Sequence, residues 1–369
     1  MDKNSKRELK GYDYAISFDA LYEGLRKSCL GVKWKTSVTK YWMNGLVNTY
    51  KLQQSLLDGT YKIGEYQRFM IYEPKVREIV ATRIKDRQFQ RSLCDNVLYP
   101  ALTKSFIRDN CACQYGKGVN DALDRMDAHL HKYYRKHGAD GWALKCDIHH
   151  FFAETRHDVI MAAVEKRIKD ERVIEHVRKI VDSYGGDRGI GLGSQVSQLV
   201  ELTVLDDFDH WVKEVLQVKY YIRYMDDFIL IGDDKAQMRH FLELIREKLN
   251  AIGLELNSKT QIYPLRQGVK FLQWRFVLTP TGKVVRKMSH QSMRHERQKL
   301  KKLSKFASRE ILEQSFQSWR AHAEHGNTYK VVENMKEYMK GVLKNVNSEK
   351  HCETNSRAGS SGEAKCYAE

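Results

Sequence analysis

Ile222-Arg223-Tyr224-Met225-Asp226-Asp227-Phe228-Ile229-Leu230-Ile231-Gly232 is the stretch on which the reading of this chain turns. Two largely apolar runs flank a pair of adjacent acids, the pattern of two strands joined by a short turn. Side chains alternate faces along a strand, so adjacent carboxylates reach one side only where the chain turns. Asp is common in turns, and a bare Asp-Asp pair would mean no more than a polar turn. The surroundings say more. Trp142-Ala143-Leu144-Lys145-Cys146-Asp147-Ile148 reads as another strand, also bearing an acid at its end. Antiparallel pairing would bring Asp147, Asp226 and Asp227 together at one edge of a sheet. Three acids so placed need a cation. Two Mg²⁺ ions roughly 3.5 to 4 Å apart, bridged by carboxylates and phosphates, stabilise both the attacking and the leaving oxygen of a phosphoryl transfer.

Charge points to the same kind of substrate. The 369 residues include 63 Lys+Arg against 47 Asp+Glu, a formal charge of +16. A chain this basic, with a pI near 9.3, concentrates polyanions at its surface, nucleic acid first among them. Hydrophobic residues at 42% and aromatics at 11% suffice for a sizeable core. There is no apolar run of about 18 residues, and the charged start Met1-Asp2-Lys3-Asn4-Ser5-Lys6-Arg7 lacks the apolar segment of a signal peptide. A soluble, cytoplasmic protein that makes no use of a membrane is expected. The cysteines are odd in number and scattered, and Cys111-Ala112-Cys113 has the wrong spacing for a zinc knuckle, so ordinary reduced thiols are expected.

The layout is that of an α+β protein. Residues 1–64 read as a basic helical region. In 65–140, Gln67 to Val80 reads as two strands joined at Glu73-Pro74-Lys75, with helices from about Lys85 to Tyr99 and Ala122 to Lys136. Residues 141–285 hold the acid-bearing strands, with a helical insertion at about 157–190. In that part helices are expected at about Asp158 to Lys169, Val173 to Ser183, Ser197 to Val215 and Lys235 to Ile252. A strand pair near Leu254 to Tyr263 and one strand over Val269 to Phe276 follow. Residues 286–345 read as helical and begin with a basic run, Arg294 to Lys305; 346–369 read as a disordered tail.

From about Tyr66 to Met339 the chain resembles the reverse transcriptases. Asp147-Ile148-His149-His150-Phe151-Phe152 resembles their first acid motif, Leu192-Gly193-Ser194-Gln195-Val196-Ser197-Gln198 the template-positioning motif, and Tyr224-Met225-Asp226-Asp227 the catalytic box. Leu256-Asn257-Ser258-Lys259-Thr260 and Phe271-Leu272-Gln273-Trp274 are similar to the lysine motif and the primer grip, in the same order. The resemblance implies a right-hand polymerase fold with fingers (65–140), an antiparallel palm sheet (141–285) and a helical thumb (286–345). It implies an RNA-directed DNA polymerase that makes cDNA on an RNA template from dNTPs with two Mg²⁺ ions, Mn²⁺ being an alternative.

By the same resemblance Asp147, Asp226 and Asp227 are the metal ligands, joined by the backbone carbonyl of Ile148. Phe152 lies under the sugar of the incoming nucleotide, where a ring excludes a 2′-hydroxyl. Lys259 protonates the leaving pyrophosphate. Lys75 and Arg77 hold the triphosphate, Arg as a bidentate fork and Lys as a point charge. Leu192 and Gln198 face the nucleotide from the template motif. The form Leu-Gly-x-x-x-Ser-Gln resembles the enzymes of diversity-generating retroelements, which copy adenines carelessly. An alkyl group at Leu192 supplies shape without a hydrogen bond, so discrimination against mismatches should weaken. Where those enzymes usually carry Phe-Ala-Asn, this chain has Val200-Glu201-Leu202, which puts an acid on the helix behind the nucleotide.

Several features stay outside this reading. His149 and His150 adjoin Asp147, but hard Mg²⁺ prefers oxygen. Gly185-Gly186-Asp187-Arg188-Gly189-Ile190-Gly191 lacks the Lys-Ser/Thr of a P-loop. Asp233-Asp234 reads as a cap for the helix starting near Lys235. The short segment after the thumb leaves no room for a nuclease domain, so template removal is expected of other factors. Two rivals remain open: an antiviral-defence enzyme copying a dedicated non-coding RNA, and a non-catalytic RNA-binding scaffold. A small accessory protein is a further expected partner in the retroelement setting.

Overall fold

The computed structural model describes residues 9–72 and 76–357, with side chains up to residue 344. The chain forms two compact units, Met1–His129 with Gly141–Tyr263, and Leu130–Asp140 with Pro264–Glu369. The five-part division expected from the sequence is a finer partition than these two.

The first unit opens with helices, among them Phe18–Ser28, Gly45–Leu57 and Ile84–Leu93. Ser17 caps the first of these by accepting from Ala20 N, an interaction typically worth about 1 kcal/mol. The stretch expected as one helix over Lys85 to Tyr99 is Ile84–Leu93 continued by a π turn, Cys94–Leu98, and then Tyr99–Leu102. Strands β1 (Gln67–Ile71) and β2 (Arg77–Ala81) form an antiparallel ladder. Helices His157–Glu165 and Gln195–Val204 bury Ile160, Met161, Val164, Val196 and Leu199 with Leu21, Phe89 and Leu93 in one core.

The sheet that carries the acids consists of β3 (Trp142–Asp147), β4 (Tyr220–Tyr224), β5 (Asp227–Gly232) and β6 (Gln261–Pro264), in the order β4-β5-β3-β6. Strand β5 pairs antiparallel with β4 on one side and with β3 on the other. Its run Phe228-Ile229-Leu230-Ile231 is buried throughout, as a central strand covered on both faces requires. Helix Lys235–Asn250 lays Met238, Phe241, Ile245 and Leu249 against Leu144, Cys146, Phe228 and Leu230. Burying each large apolar side chain stabilises the unit by about 1.5 to 3 kcal/mol. Asp234 caps that helix, accepting from Ala236 N at 2.8 Å.

Three sequence-based expectations need correction. The helix read over Ser197 to Val215 breaks at Leu205 into Gln195–Val204 and Asp206–Glu214. The acids Asp206, Asp207 and Asp209 in the new first turn complement its dipole. No strand pair forms near Leu254 to Tyr263, where there is only β6 and a single bridge from Leu256 to Ile148. The Asn257 side chain accepts from Lys259 N, a local turn that competes with strand pairing. Third, Val269 to Phe276 is not one strand but a hairpin.

That hairpin belongs to the second unit, whose antiparallel sheet is β7 (Val269–Phe271), β8 (Trp274–Leu278) and β9 (Val284–Met288). Leu272 and Gln273 turn the chain with φ of 47° and 70°. Positive φ at both loop positions is ordinarily signalled by Asn-Gly, which Leu-Gln does not resemble. Helices His290–Leu303, Arg309–Ala323 and Tyr329–Arg357 follow. Trp274 is buried beside Gly326, where a Cβ would run into the indole ring. The last helix runs through Gly341 to Arg357, into the stretch expected as a disordered tail, and no Pro interrupts it. Residues 358–369 lie outside the described residues. No helix among those described is long and apolar enough to cross a membrane.

Candidate metal and nucleotide site

The register of the sheet sets the site. Asp147, the last residue of β3, stands directly opposite Asp227, the first of β5. Tyr224 also pairs with Asp227, which leaves Met225-Asp226 as a two-residue turn. Met225 has φ of 56°, in the left-handed region that costs a side chain with a Cβ of order 1 kcal/mol or more. The turn is held from two sides. Ile148 N donates to Asp226 O at 3.2 Å, and Arg223 Nη1 donates to Met225 O at 3.0 Å.

Arg223 is itself fully buried and locked by a fork. Its Nε and Nη2 donate to Asp209 Oδ1 and Oδ2 at 2.7 and 2.5 Å, and Tyr221 Oη donates to the same Oδ1 at 2.6 Å. A buried bidentate pair of this kind fixes direction as well as charge. It therefore ties the acid-bearing turn to the helix Asp206–Glu214.

Asp227 carries the strongest electrostatic signature at this edge. Burial pushes its carboxyl up to about 6; Lys145 opposes the rise, while Asp147 and Asp226 add to it. Lys145 Nζ lies 2.9 Å from Oδ2, whereas Oδ1 is buried with no hydrogen-bond partner. An orphaned carboxylate oxygen beside two further acids is a hard-oxygen donor set, which fits Mg²⁺ or Mn²⁺. Among the described residues no group of three or more His, Cys, Asp or Glu stands close enough to hold an ion by itself. Mg²⁺ is commonly bound by one or two carboxylates with substrate phosphates completing the shell, so an all-protein cage is not required.

The remaining expected residues lie at different removes. Phe152, in the turn of helix Phe151–Glu154, is half-buried and packs against both cores of the first unit. Its carbonyl accepts from Ile190 N at 2.8 Å. Gly191 leads on from Ile190; a Cβ there would strike the Tyr184 ring and Val80. Leu192 is half-buried in the next turn, and its carbonyl accepts from Val80 N of β2 at 3.2 Å. Gln198 is exposed on the helix that Ser194 caps. Lys259 is exposed in the turn after Asn257, whose N–H donates to Asp147 O at 2.7 Å, so its loop adjoins the first acid. Arg77 is exposed on β2, in the hairpin rather than among the acids. Lys75 lies outside the described residues. His149 and His150 are both exposed beyond the end of β3, their rings in edge contact with each other.

Sequence reasoning missed Lys145 and Arg223, although both lie in the strands it singled out. Lys145 precedes Asp147 by two residues, the spacing that puts two side chains on one face of a strand. A cation at that position was a readable signal. Arg223 carried no such signal, because its partner Asp209 sits on a helix.

An antiparallel sheet whose paired strands end in facing carboxylates, with a third acid in the joining turn, has the donor set of a divalent-metal site for phosphoryl transfer. The chain belongs to the reverse transcriptase (RNA-dependent DNA polymerase) family, whose description matches residues 73–276. It is 25% identical over 272 residues to protein YkfC of Escherichia coli K12, a match covering 61% of this chain and 70% of that protein. Among solved structures it is similar to apo telomerase from Candida tropicalis truncated from its C-terminal domain, at 13% identity and a TM-score of 0.48, over 61% of this chain and 55% of that one. It is also similar to telomerase from Candida albicans in complex with a TWJ fragment of telomeric RNA, at 13% identity and a TM-score of 0.48, over 77% of this chain and 55% of that one. The match thus spans little more than half the length of those telomerase chains.

Proposed function

We propose that this chain is an RNA-directed DNA polymerase that extends cDNA on an RNA template by two-metal nucleotidyl transfer. The observation that carries the reading is the register of Asp147 against Asp227, with Asp226 in the adjoining turn and Asp227 Oδ1 buried without a partner. Asp147, Asp226, Asp227 and the Ile148 carbonyl would hold two Mg²⁺ ions, which lower the charge barrier between the 3′-hydroxyl and the triphosphate.

The chain's own groups then have distinct tasks. Lys145 offsets part of the acid charge. Lys75 and Arg77 grip the triphosphate, and Lys259 delivers a proton to the departing pyrophosphate. The Phe152 ring occupies the space a 2′-hydroxyl would need, so dNTPs are favoured over rNTPs. Residues 65–140, 141–285 and 286–345 serve as fingers, palm and thumb.

Replacing Asp147, Asp226 or Asp227 by Ala should lower incorporation on a primed RNA template by several orders of magnitude, with RNA binding largely retained. Near wild-type extension by any of the three variants would defeat the assignment.

The enzyme is further proposed to be error-prone, of diversity-generating retroelement type. Leu192 supports this, since its alkyl side chain sits in the turn that joins the template motif to β2. Leu192→Gln should reduce misincorporation several-fold, especially opposite adenine, as a regained hydrogen bond of about 1 kcal/mol implies. Sequencing cDNA from both proteins on one template decides it; equal error spectra would make Leu192 a packing residue.

A further inference from the structure

Glu201 is the acid in the segment Val200-Glu201-Leu202, and the mechanism above leaves it without a task. It lies within helix Gln195–Val204 and has no solvent exposure. Its Oε2 is 3.0 Å from Thr155 Oγ1, and its Oε1 is buried with no hydrogen-bond partner. Thr155 is equally buried.

Counting protons, together with the cost of burying charge, favours one state of this pair. A threonine hydroxyl has one hydrogen to give. Thr155 Oγ1 is 2.7 Å from the carbonyl oxygen of Phe151, which can only accept. This is the usual back-bond of Thr to the carbonyl four residues earlier. With that hydrogen engaged, Thr155 Oγ1 faces Glu201 as an acceptor, and the proton in the 3.0 Å contact has to come from Glu201. Turning the hydroxyl the other way would leave Thr155 Oγ1 and Phe151 O with no proton between them. It would also leave an ionised carboxylate buried with one hydrogen bond, which is far more costly than burying the neutral acid. Burial accordingly holds Glu201 well above the usual carboxylate range.

The relay ends on the turn that carries Phe152. Thr155 closes helix Phe151–Glu154, with its N–H donating to Phe151 O at 3.1 Å. On the other side Thr155 O accepts from Gly189 N at 2.9 Å, and Phe152 O from Ile190 N at 2.8 Å. The turn is therefore pinned between the loop before Leu192 and the helix after it.

We propose that Glu201 is a positioning residue for sugar selection: a carboxylic acid that stays protonated in the working enzyme, donates to Thr155 Oγ1 and so fixes the ring of Phe152 against the sugar of the incoming nucleotide. The inference rests on Phe152 as the 2′-hydroxyl gate. The ligands discriminated are deoxynucleoside and ribonucleoside triphosphates.

Two measurements on the full chain test it. Infrared difference spectra between wild type and Glu201→Gln should contain a protonated carboxyl carbonyl band at neutral pH; an ionised band from Glu201 would overturn the proposal whatever the enzyme's activity. The ratio of kcat/KM for dNTP over rNTP should stay within about twofold in Glu201→Gln, whose amide can donate to Thr155. It should fall on the order of tenfold in Glu201→Ala and in Thr155→Val, which break the relay from its two ends. A general packing defect would lower kcat for both substrates and leave the ratio alone, and that result in Thr155→Val overturns the proposal even where Glu201→Ala fails to fold. Phe152→Ala separates the two layers. An unchanged ratio there defeats the gate itself and with it the role in selection, while the infrared result still decides the protonation of Glu201.

Discussion

The ammonium of Lys145 lies 2.9 Å from Oδ2 of Asp227, across the ladder between β3 and β5. By strand alternation Lys145 shares a face with Asp147. The acid edge thus carries a resident cation, which limits repulsion among the three carboxylates. Removing it as Lys145→Met should leave the carboxylates mutually unshielded and lower stability by about 1 to 3 kcal/mol in chelator. Mg²⁺ should recover more stability in the variant than in wild type, because a ligand that binds the folded state stabilises it by linkage. Thermal melts with and without Mg²⁺ check this; equal Mg²⁺-induced shifts in the two proteins would count against it.

The Arg223 and Asp209 pair should behave as a unit. Asp209→Asn leaves a fully buried guanidinium opposite a neutral partner and should cost about 3 to 5 kcal/mol. Arg223→Lys keeps the charge but loses the fork and the reach to Met225 O, so primer extension should fall further than stability does. Urea denaturation run alongside extension assays separates the effects. Proportional losses in both would mean that the pair supports the fold and not the turn.

His176 predicts a pH dependence of stability. Its Nε2 is 2.6 Å from Tyr12 Oη, and burial, helped by Lys179, pushes its pKa down to about 4 from the ordinary 6.5. A histidine whose folded pKa is depressed binds its proton more readily in the unfolded chain. Its contribution is therefore fully present above about pH 6.5 and is lost as pH falls towards 4. Chemical denaturation at a series of pH values should show that loss, and His176→Phe should flatten it. A slope unaltered by the substitution would assign the acid lability to other groups.

RNA binding should be strongly salt-dependent. Arg294, Arg297, Lys301 and Lys302 are exposed along helix His290–Leu303, whose Leu300 faces the core. Each phosphate they neutralise contributes about −0.7 to −0.9 to the logarithmic salt slope. Reversing Lys301 and Lys302 to Glu should flatten the slope by about 1 to 2. An affinity indifferent to salt would point to base stacking on the aromatic residues instead.

Much of the architecture was legible in local sequence because it is written in periodicity. The apolar run Phe228 to Ile231 marked a central strand, Lys235 onward a helix with Asp234 as its cap, and the acids at the ends of two strands marked the edge to examine. These depend on a residue and its near neighbours. What depends on partners distant in the chain was not legible. Nothing around Leu272-Gln273 announces a turn, whose positive φ values accompany the antiparallel pairing of the flanking strands. Nothing around Arg223 names Asp209, and nothing around Glu201 names Thr155, 46 residues away. Local sequence determined which chemistry-bearing groups exist and where the strands carrying them end. Only the tertiary structure decided which acids are paired, which carboxyls burial pushes towards the neutral form and which oxygen is left free, because burial and pairing energies are properties of the surroundings that folding assembles.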